Sequence, residues 1–258
     1  MRRECDLAIQ EELIDMHRTP SSRLAMVLTS CAAAVLLAAC QTPPSGDTAA
    51  QEAQTLAAQA AEFAKTSPVS VLATDEAGRG VIAYFGAPGT EQEGMRYDVQ
   101  QPGGFYRVYM GRDAAGHHRV QDFYQASGTP LTSVFPVAAD ASLVEWDTLP
   151  LQGEVTFYRP NGQVRSVTHY QNSQLHGRDV YYNDDGSERS VFHWANDMLD
   201  GPFVAREPGT LRSVSGQARE DQIISLHATG ADGAELPQDE ALELLEASLM
   251  LWYQDIFN

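Results

Sequence analysis

Two histidines occupy equivalent places in a repeated stretch of this sequence and are the first candidates for metal chemistry. His169 and His193 stand at the same position of two successive repeat units, and each is followed by an aromatic residue. If each repeat is a β-hairpin, their strands lie about 9.5 Å apart at the usual ~4.8 Å spacing. An ion held by imidazoles at about 2.1 Å would need both side chains to lean together, with no cysteine or third histidine placed to help. We therefore predict no metal and no cofactor at this pair.

Three arginines form a second repeated column. Arg165 and Arg189 each begin the triplet Arg-Ser-Val, and Arg212 begins a third copy that comes one position early. Strand alternation places each arginine on the face that carries the valine and the histidine of its repeat. The column could pair with neighbouring carboxylates, or it could bind an anionic polymer or the acidic edge of a partner. The predicted binding surface consists of Arg165, Arg189, Arg212, His169 and His193.

Acidic residues around Trp146 are the remaining candidates for chemistry. Asp140, Glu145 and Asp147 flank this tryptophan in a loop that interrupts the repeat, and they suggest a site for carbohydrate. The chain has no nucleophile-elbow, phosphate-loop or zincin-helix motif, and no cysteine follows Cys40. We predict that the protein is not an enzyme. A glycan- or peptide-processing enzyme that uses the Trp146 loop is an alternative.

A sequence repeat must position these side chains. The segment that starts at Gly153, GEVTFYRPNGQVRSVTHYQNSQLH, aligns without a gap on GRDVYYNDDGSERSVFHWANDMLD, which starts at Gly177. The Asn-Gly and Asp-Gly pairs within these segments are strong signals for tight β-hairpins. We predict a mainly β fold, a meander of antiparallel hairpins over residues 68–235, with the clear repeats at 153–215.

The pattern of aromatic pair, glycine turn, charged strand, aromatic-x-Asn and Leu-x-Gly resembles the variant MORN repeat, which occurs in bacterial proteins grouped as YwqK-type antitoxins. The resemblance covers about residues 120–215. It implies stacked β-hairpins that bury their aromatic residues together, since one hairpin cannot do so alone. A periplasmic immunity or antitoxin-like binder is one function that the resemblance suggests.

The N-terminal segment indicates the compartment. From Met16, the basic stretch MHRTPSSR is followed by the apolar and small residues LAMVLTSCAAAVLLAA and then by Cys40. This order is typical of a secretory signal peptide, and the apolar run is short for a membrane span. Residues 37–40, LAAC, resemble the lipobox of bacterial lipoproteins, which implies that Cys40 becomes acylated and anchors the chain. Since Gln41 is not the aspartate that retains such proteins at the inner membrane, the resemblance favours the outer membrane, facing the periplasm.

The chain is expected to divide into four parts. They are the signal peptide (1–39, with the true start at Met16), a lipidated tether with a short Ala-rich helix (40–67), the hairpin repeats (68–235) and a C-terminal capping helix (236–258). Apolar residues recur at steps of three and four in the last part, which predicts one apolar helix face. This predicted face consists of Leu242, Leu245, Leu249, Trp252 and Ile256. The helix would cap the sheet, or it would dock a partner.

The charge of the chain limits the partners further. The sequence has 35 acidic and 17 basic residues, a formal net charge of −18. Such a surface repels nucleic acid and anionic headgroups. We therefore predict a membrane-anchored periplasmic lipoprotein whose repeat sheet is a non-catalytic binding or scaffolding module. Its expected partner is another envelope protein, cell-wall material or a second copy of the chain.

Overall fold

The computed structural model describes Lys65 and residues 68–257, which form a mainly β protein with one C-terminal helix. This confirms the predicted fold class of antiparallel hairpins followed by a helix. The predicted signal peptide, Cys40 and all but Lys65 of the predicted Ala-rich helix lie outside the described residues. Within the described part of the chain, no helix combines the length and apolar character that crossing a bilayer requires.

The first sheet has six antiparallel strands. They are β1 (Ala73–Thr74), β2 (Gly80–Phe85), β3 (Arg96–Tyr97), β4 (Phe105–Arg112), β5 (His118–Tyr124) and β6 (Phe135–Val137). Their order is β1-β2-β4-β5-β6, and β3 pairs back onto β2. The turn between β4 and β5 is closed by a hydrogen bond from the Gly116 N–H to the Asp113 carbonyl at 3.0 Å, with Gly116 at a φ of 90°. Glycine reaches that conformation without the Cβ clash that other residues meet.

The second sheet has nine antiparallel strands. They are β7 (Gln152–Tyr158), β8 (Val164–Gln171), β9 (Gln174–Leu175), β10 (Gly177–Tyr182), β11 (Glu188–Ala195), β12 (Met198–Leu199), β13 (Gly201–Arg206), β14 (Ser213–Arg219) and β15 (Gln222–Thr229). The order is β15-β14-β13-β11-β10-β8-β7, and the short strands β9 and β12 pair with β8 and β11. The sheet is thus a continuous meander in chain order.

The sequence repeat is visible in the turns of this sheet. The turns at 172–173, 196–197 and 220–221 have φ between 49° and 68° at both positions, as type I′ hairpin turns require. In two of them an aspartate joins its turn to the preceding repeat. Asp197 Oδ1 accepts the N–H of Leu175 at 2.7 Å, and Asp221 Oδ1 accepts the N–H of Leu199 at 2.6 Å. Successive units are therefore connected by the same contact.

The helix α1 (Gln238–Phe257) covers one end of the second sheet. Its residues Ala241, Leu244 and Leu245 are almost fully buried against a core that includes Phe192 and Phe203. The acidic residues of its first turn complement the positive end of the helix dipole. The helix therefore packs as the predicted cap.

The buried side of α1 differs in part from the predicted apolar face. Leu245 and Leu249 pack against the core, whereas Leu242 is only half-buried and Leu244 is buried in its place. The buried stripe runs through Ala241, Leu244, Leu245 and Ser248, and a pattern of large apolar residues misses its two small members. Trp252 and Ile256 also belong to the predicted face, but their side chains lie outside the described part of the structure.

The sequence predicts one repeat array over residues 68–235, and the structure has two sheets there instead. The segment between β5 and β6 runs beside β7. The Ser133 N–H donates to the Thr156 carbonyl at 2.7 Å, and the Tyr158 N–H donates to the Leu131 carbonyl at 2.8 Å. The two sheets also share a buried cluster that includes residues of β2, β4, β7 and β8. The edge of the second sheet at β7 is therefore covered.

Candidate functional site

The nine-stranded sheet has a closed face and an open face. Residues that are paired on neighbouring strands project to the same face. Phe192, Phe203 and Val214 belong to the closed face and are buried against α1. The opposite face, which we call the open face, carries two rows of side chains that cross the strands.

The first row is polar except for one proline. It consists of Glu154, His169, Arg178, His193, Pro202, Gln217 and Ser225. The side chains of Glu154, His169 and Arg178 are 58%, 39% and 45% exposed. The Nε2 of His169 lies 3.5 Å from Glu154, and Arg178 pairs with Glu188 at 2.6 Å. Charges of both signs therefore face solvent in this row.

Both predicted histidines connect strands through the same hydrogen bond. The Nδ1 of His169 lies 2.7 Å from the carbonyl oxygen of Arg178, and the Nδ1 of His193 lies 2.7 Å from that of Pro202. Because a carbonyl oxygen only accepts, Nδ1 carries the proton and donates in both rings. In the neutral ring the lone pair is then on Nε2, on the open face.

Glycines make room for these rings. Gly177 and Gly201 have φ of 102° and 125°, backbone conformations that residues with a side chain rarely adopt. A Cβ on Gly177 would lie 3.4 Å from the Cβ of His169, and one on Gly201 would lie 2.9 Å from the Cβ of His193. Each histidine therefore lies over the backbone of a repeat-opening glycine, a pairing already present in the sequence as a His-x7-Gly spacing.

The second row of the open face is largely apolar. It consists of Thr156, Val167, Val180, Val191, Val204, Ser215 and His227. Four consecutive members are valines, which pack well across a pleated sheet, and they are buried or half-buried in the row. The sequence pattern places Val167 and Val191 on the face of the histidines, as the structure does, but it does not extend the row to Val180 and Val204.

A groove of about 530 Å³ lies at one end of the open face. Tyr158, Val164, Val167 and Tyr182 form its apolar lining, and the turn at 183–186 forms its polar side. Val164 is 38% exposed, which is high for a valine within a sheet. The two tyrosines come from the aligned aromatic pairs, so the repeat predicts their shared face but not the groove.

Arg165 and Arg189 lie on the closed face, contrary to the prediction. On β7 and β8, Phe157 pairs with Ser166, and the next residue of β7 pairs with residue 164. Arg165 therefore has no residue opposite it and is the additional residue of a β-bulge. Arg165 is only 8% exposed, and its Cζ lies 5.7 Å from the centre of the Phe157 ring. The second repeat has the same bulge, and Arg189 lies 5.4 Å from the Tyr181 ring. A bulge breaks the alternation on which the prediction depended.

Arg212 lies elsewhere again. Its guanidinium is 3.5 Å from Glu207 and 3.9 Å from Glu240, in the first turn of α1. Compared with the hairpins of the first two copies, the hairpin of this third copy has one more loop residue and no bulge. The five predicted binding residues therefore do not form one surface, and only the two histidines share the open face.

The closed face buries a polar cluster near these arginines. Asp179 is fully buried and accepts a hydrogen bond from the Thr168 hydroxyl at 2.8 Å. Burial, and then the charge of Asp179, raises the pKa of Tyr170 and of Tyr181. Both phenols therefore remain protonated at neutral pH.

The Trp146 loop is anchored in the core of the first sheet. The indole stacks on Phe105 at 5.0 Å between ring centres, with the planes 8° apart, and lies 5.1 Å from Phe85. Arg107 donates to the Glu145 carbonyl at 2.8 Å. The residues that supply the carboxylates of the loop are exposed: Asp140, Glu145 and Asp147. Trp146 thus packs, half-buried, against the first sheet.

The described residues contain no group of three or more His, Cys, Asp or Glu side chains arranged to hold a metal ion. Comparison with known proteins found no matching protein family, no matching curated protein and no matching solved structure.

Proposed function

We propose that the protein is a lipid-anchored protein of the bacterial cell envelope, whose negative charge repels nucleic acid, and that its open face binds a protein partner without catalysis. The acylated Cys40 would anchor the repeat sheet to the outer membrane, on the side that faces the periplasm. The tether after Cys40, QTPPSGDT, is of the composition that separates a domain from a surface.

One observation carries the binding proposal. The second sheet is covered on one face and at its β7 edge, yet the other face presents a row of opposite charges and an apolar groove to solvent, beside the valine row. Apolar anchors beside charged groups of both signs suit a polypeptide surface, which offers both kinds of contact.

The hydrogen bonds of His169 and His193 indicate that their rings have a structural role. In both, Nδ1 is used to bond a neighbouring strand. Neither ring is hydrogen-bonded to a serine, threonine or cysteine that could act as a nucleophile among the described contacts. The geometry thus favours recognition over covalent chemistry.

The double variant Val164→Asp/Arg178→Glu tests the open face. It places charge in the groove and reverses a charge of the polar row, so we expect recovery of co-purified partner to fall at least about tenfold, or ~1.4 kcal/mol. The measurement is affinity purification of the tagged, membrane-anchored protein with quantitative mass spectrometry.

The matched control is Leu149→Asp/Arg96→Glu, which makes the same charge changes at exposed positions away from the open face. It should keep the partner. Equal recovery with both double variants, at unchanged melting temperature, would rule out the open face as the binding surface.

Cys40→Ala tests the lipid anchor. Because several acyl chains on one residue give stable anchoring, their loss should move the protein from the membrane fraction to the aqueous fraction. Cell fractionation with immunodetection measures this. Cys31→Ala, within the predicted signal peptide, is the control and should remain membrane-bound. A Cys40→Ala protein that stays with the membrane would refute the anchor.

A further inference from the structure

The edge strand β15 has an open side. It pairs with β14 along its length, and the chain returns to cover only its end, where the Leu236 N–H donates to the Ala228 carbonyl at 2.9 Å. From Gln222 to His227, no backbone hydrogen bond on the outer side occurs among the described residues. The opposite edge, at β7, is covered by the segment between β5 and β6.

This open edge lacks the usual protection against strand pairing. Its sequence, QIISLHAT, contains no Lys, Arg, Asp, Glu or Pro. Natural proteins place such residues on edges because unpaired N–H and C=O groups otherwise attract another strand. The bulge at Ile224 is the one protective feature that the strand shows, and the Ile224 side chain is itself 60% exposed.

The strand is also held in place from within. Ala228 is buried, and Ile223 and Leu226 pack against the core beneath α1. A strand that is already ordered loses little further conformational entropy when it pairs. The edge is thus a preorganised template for one additional strand.

We propose that β15 pairs antiparallel with β15 of a second copy of this chain, so that two sheets join across a two-fold axis. A two-fold contact requires a surface that is complementary to itself, and an uncharged antiparallel strand meets that requirement. The pairing uses the open residues 222–227 of each copy, which run in opposite directions. Glu220 and Asp221, before one strand, then lie toward Asp232 and Glu235, after the other, and salt screens the repulsion between these like charges. Since the β7 edge is covered, the assembly closes at two copies.

The overall charge predicts an unusual salt dependence. Two chains with a formal charge of −18 each repel one another, and salt screens that repulsion. The dimer should therefore be stronger at about 0.3 M than at about 0.03 M salt, opposite to an association driven by ion pairs.

Sedimentation velocity of the full chain in density-matched detergent tests the proposal. The wild type should shift from one to two copies with increasing concentration, and more readily in high salt. Ile224→Lys should weaken the association at least about tenfold, because it adds a charge at the edge. Met95→Lys, at a similarly exposed position next to β3 of the first sheet, should leave it unchanged.

Hydrogen exchange supplies a second readout that does not depend on a variant. The amides of Gln222–His227 should become protected as the wild-type concentration rises, and those of the first sheet should not. A wild type that stays monomeric at about 100-fold above its working concentration in high salt, assemblies larger than two, or equal weakening by both lysine variants would overturn the proposal. None of these results depends on whether the open face binds a partner.

Discussion

Asp122→Ala should lower the free energy of unfolding by about 3–5 kcal/mol, because it leaves the buried charge of Arg107 without a partner. The Arg107 and Asp122 side chains are 1% and 5% exposed. The guanidinium Nε and Nη2 donate to the two carboxylate oxygens at 2.7 and 2.8 Å. Urea unfolding at pH 7 measures the loss.

The control is the double variant Arg107→Met/Asp122→Leu, which removes both charges and keeps apolar volume. It should recover most of the stability, since replacing a buried ion pair by apolar residues is often close to neutral. A loss below about 1 kcal/mol for Asp122→Ala alone would show that water reaches the guanidinium. Arg107 also holds the Glu145 carbonyl, so the single variant should expose the Trp146 loop to proteolysis before the rest of the chain.

Gly201→Ala should destabilise the protein by about 2–3 kcal/mol, the second largest effect that we expect. At a φ of 125° an alanine is strained, and its Cβ would lie 2.9 Å from the Cβ of His193. The variant should also displace the imidazole from the Pro202 carbonyl, which the histidine NMR signals would report. Thermal and urea unfolding measure the energy.

Gly186→Ala is the matched control, because it tests the same change in the preceding hairpin. Gly186 has a φ of 81° and no atom within 4 Å of a built Cβ, so only the backbone conformation opposes the methyl group. Its cost should be about 1 kcal/mol. Equal losses at both positions would mean that the contact between Gly201 and His193 has no energetic weight.

The repeat allowed most of the second sheet to be predicted from sequence. Asn-Gly and Asp-Gly turns fixed the hairpins, and the constant period correctly related His169 to His193, which make the same bond in the structure. These features are local, or they recur at a regular spacing. Patterns of that kind are readable without knowledge of the tertiary fold.

The prediction that Arg165 and Arg189 share a face with the histidines was wrong for a specific reason. One bulge residue per repeat reverses the face of Arg165 and Arg189, and alternation alone gives no sign of it. The first sheet escaped prediction for another reason: its six strands have no common period, and its topology depends on contacts between strands such as that of Arg107 with Asp122. The groove requires the packing of two repeats, which no single segment encodes.

The contact of Asp197 with Leu175, copied as that of Asp221 with Leu199, has an evolutionary consequence. A gene that gained or lost one such cassette would still encode a chain in which every junction fits, because no closed ring sets the total number. A longer or shorter array would therefore present a wider or narrower exposed sheet that is built from the same kind of junction.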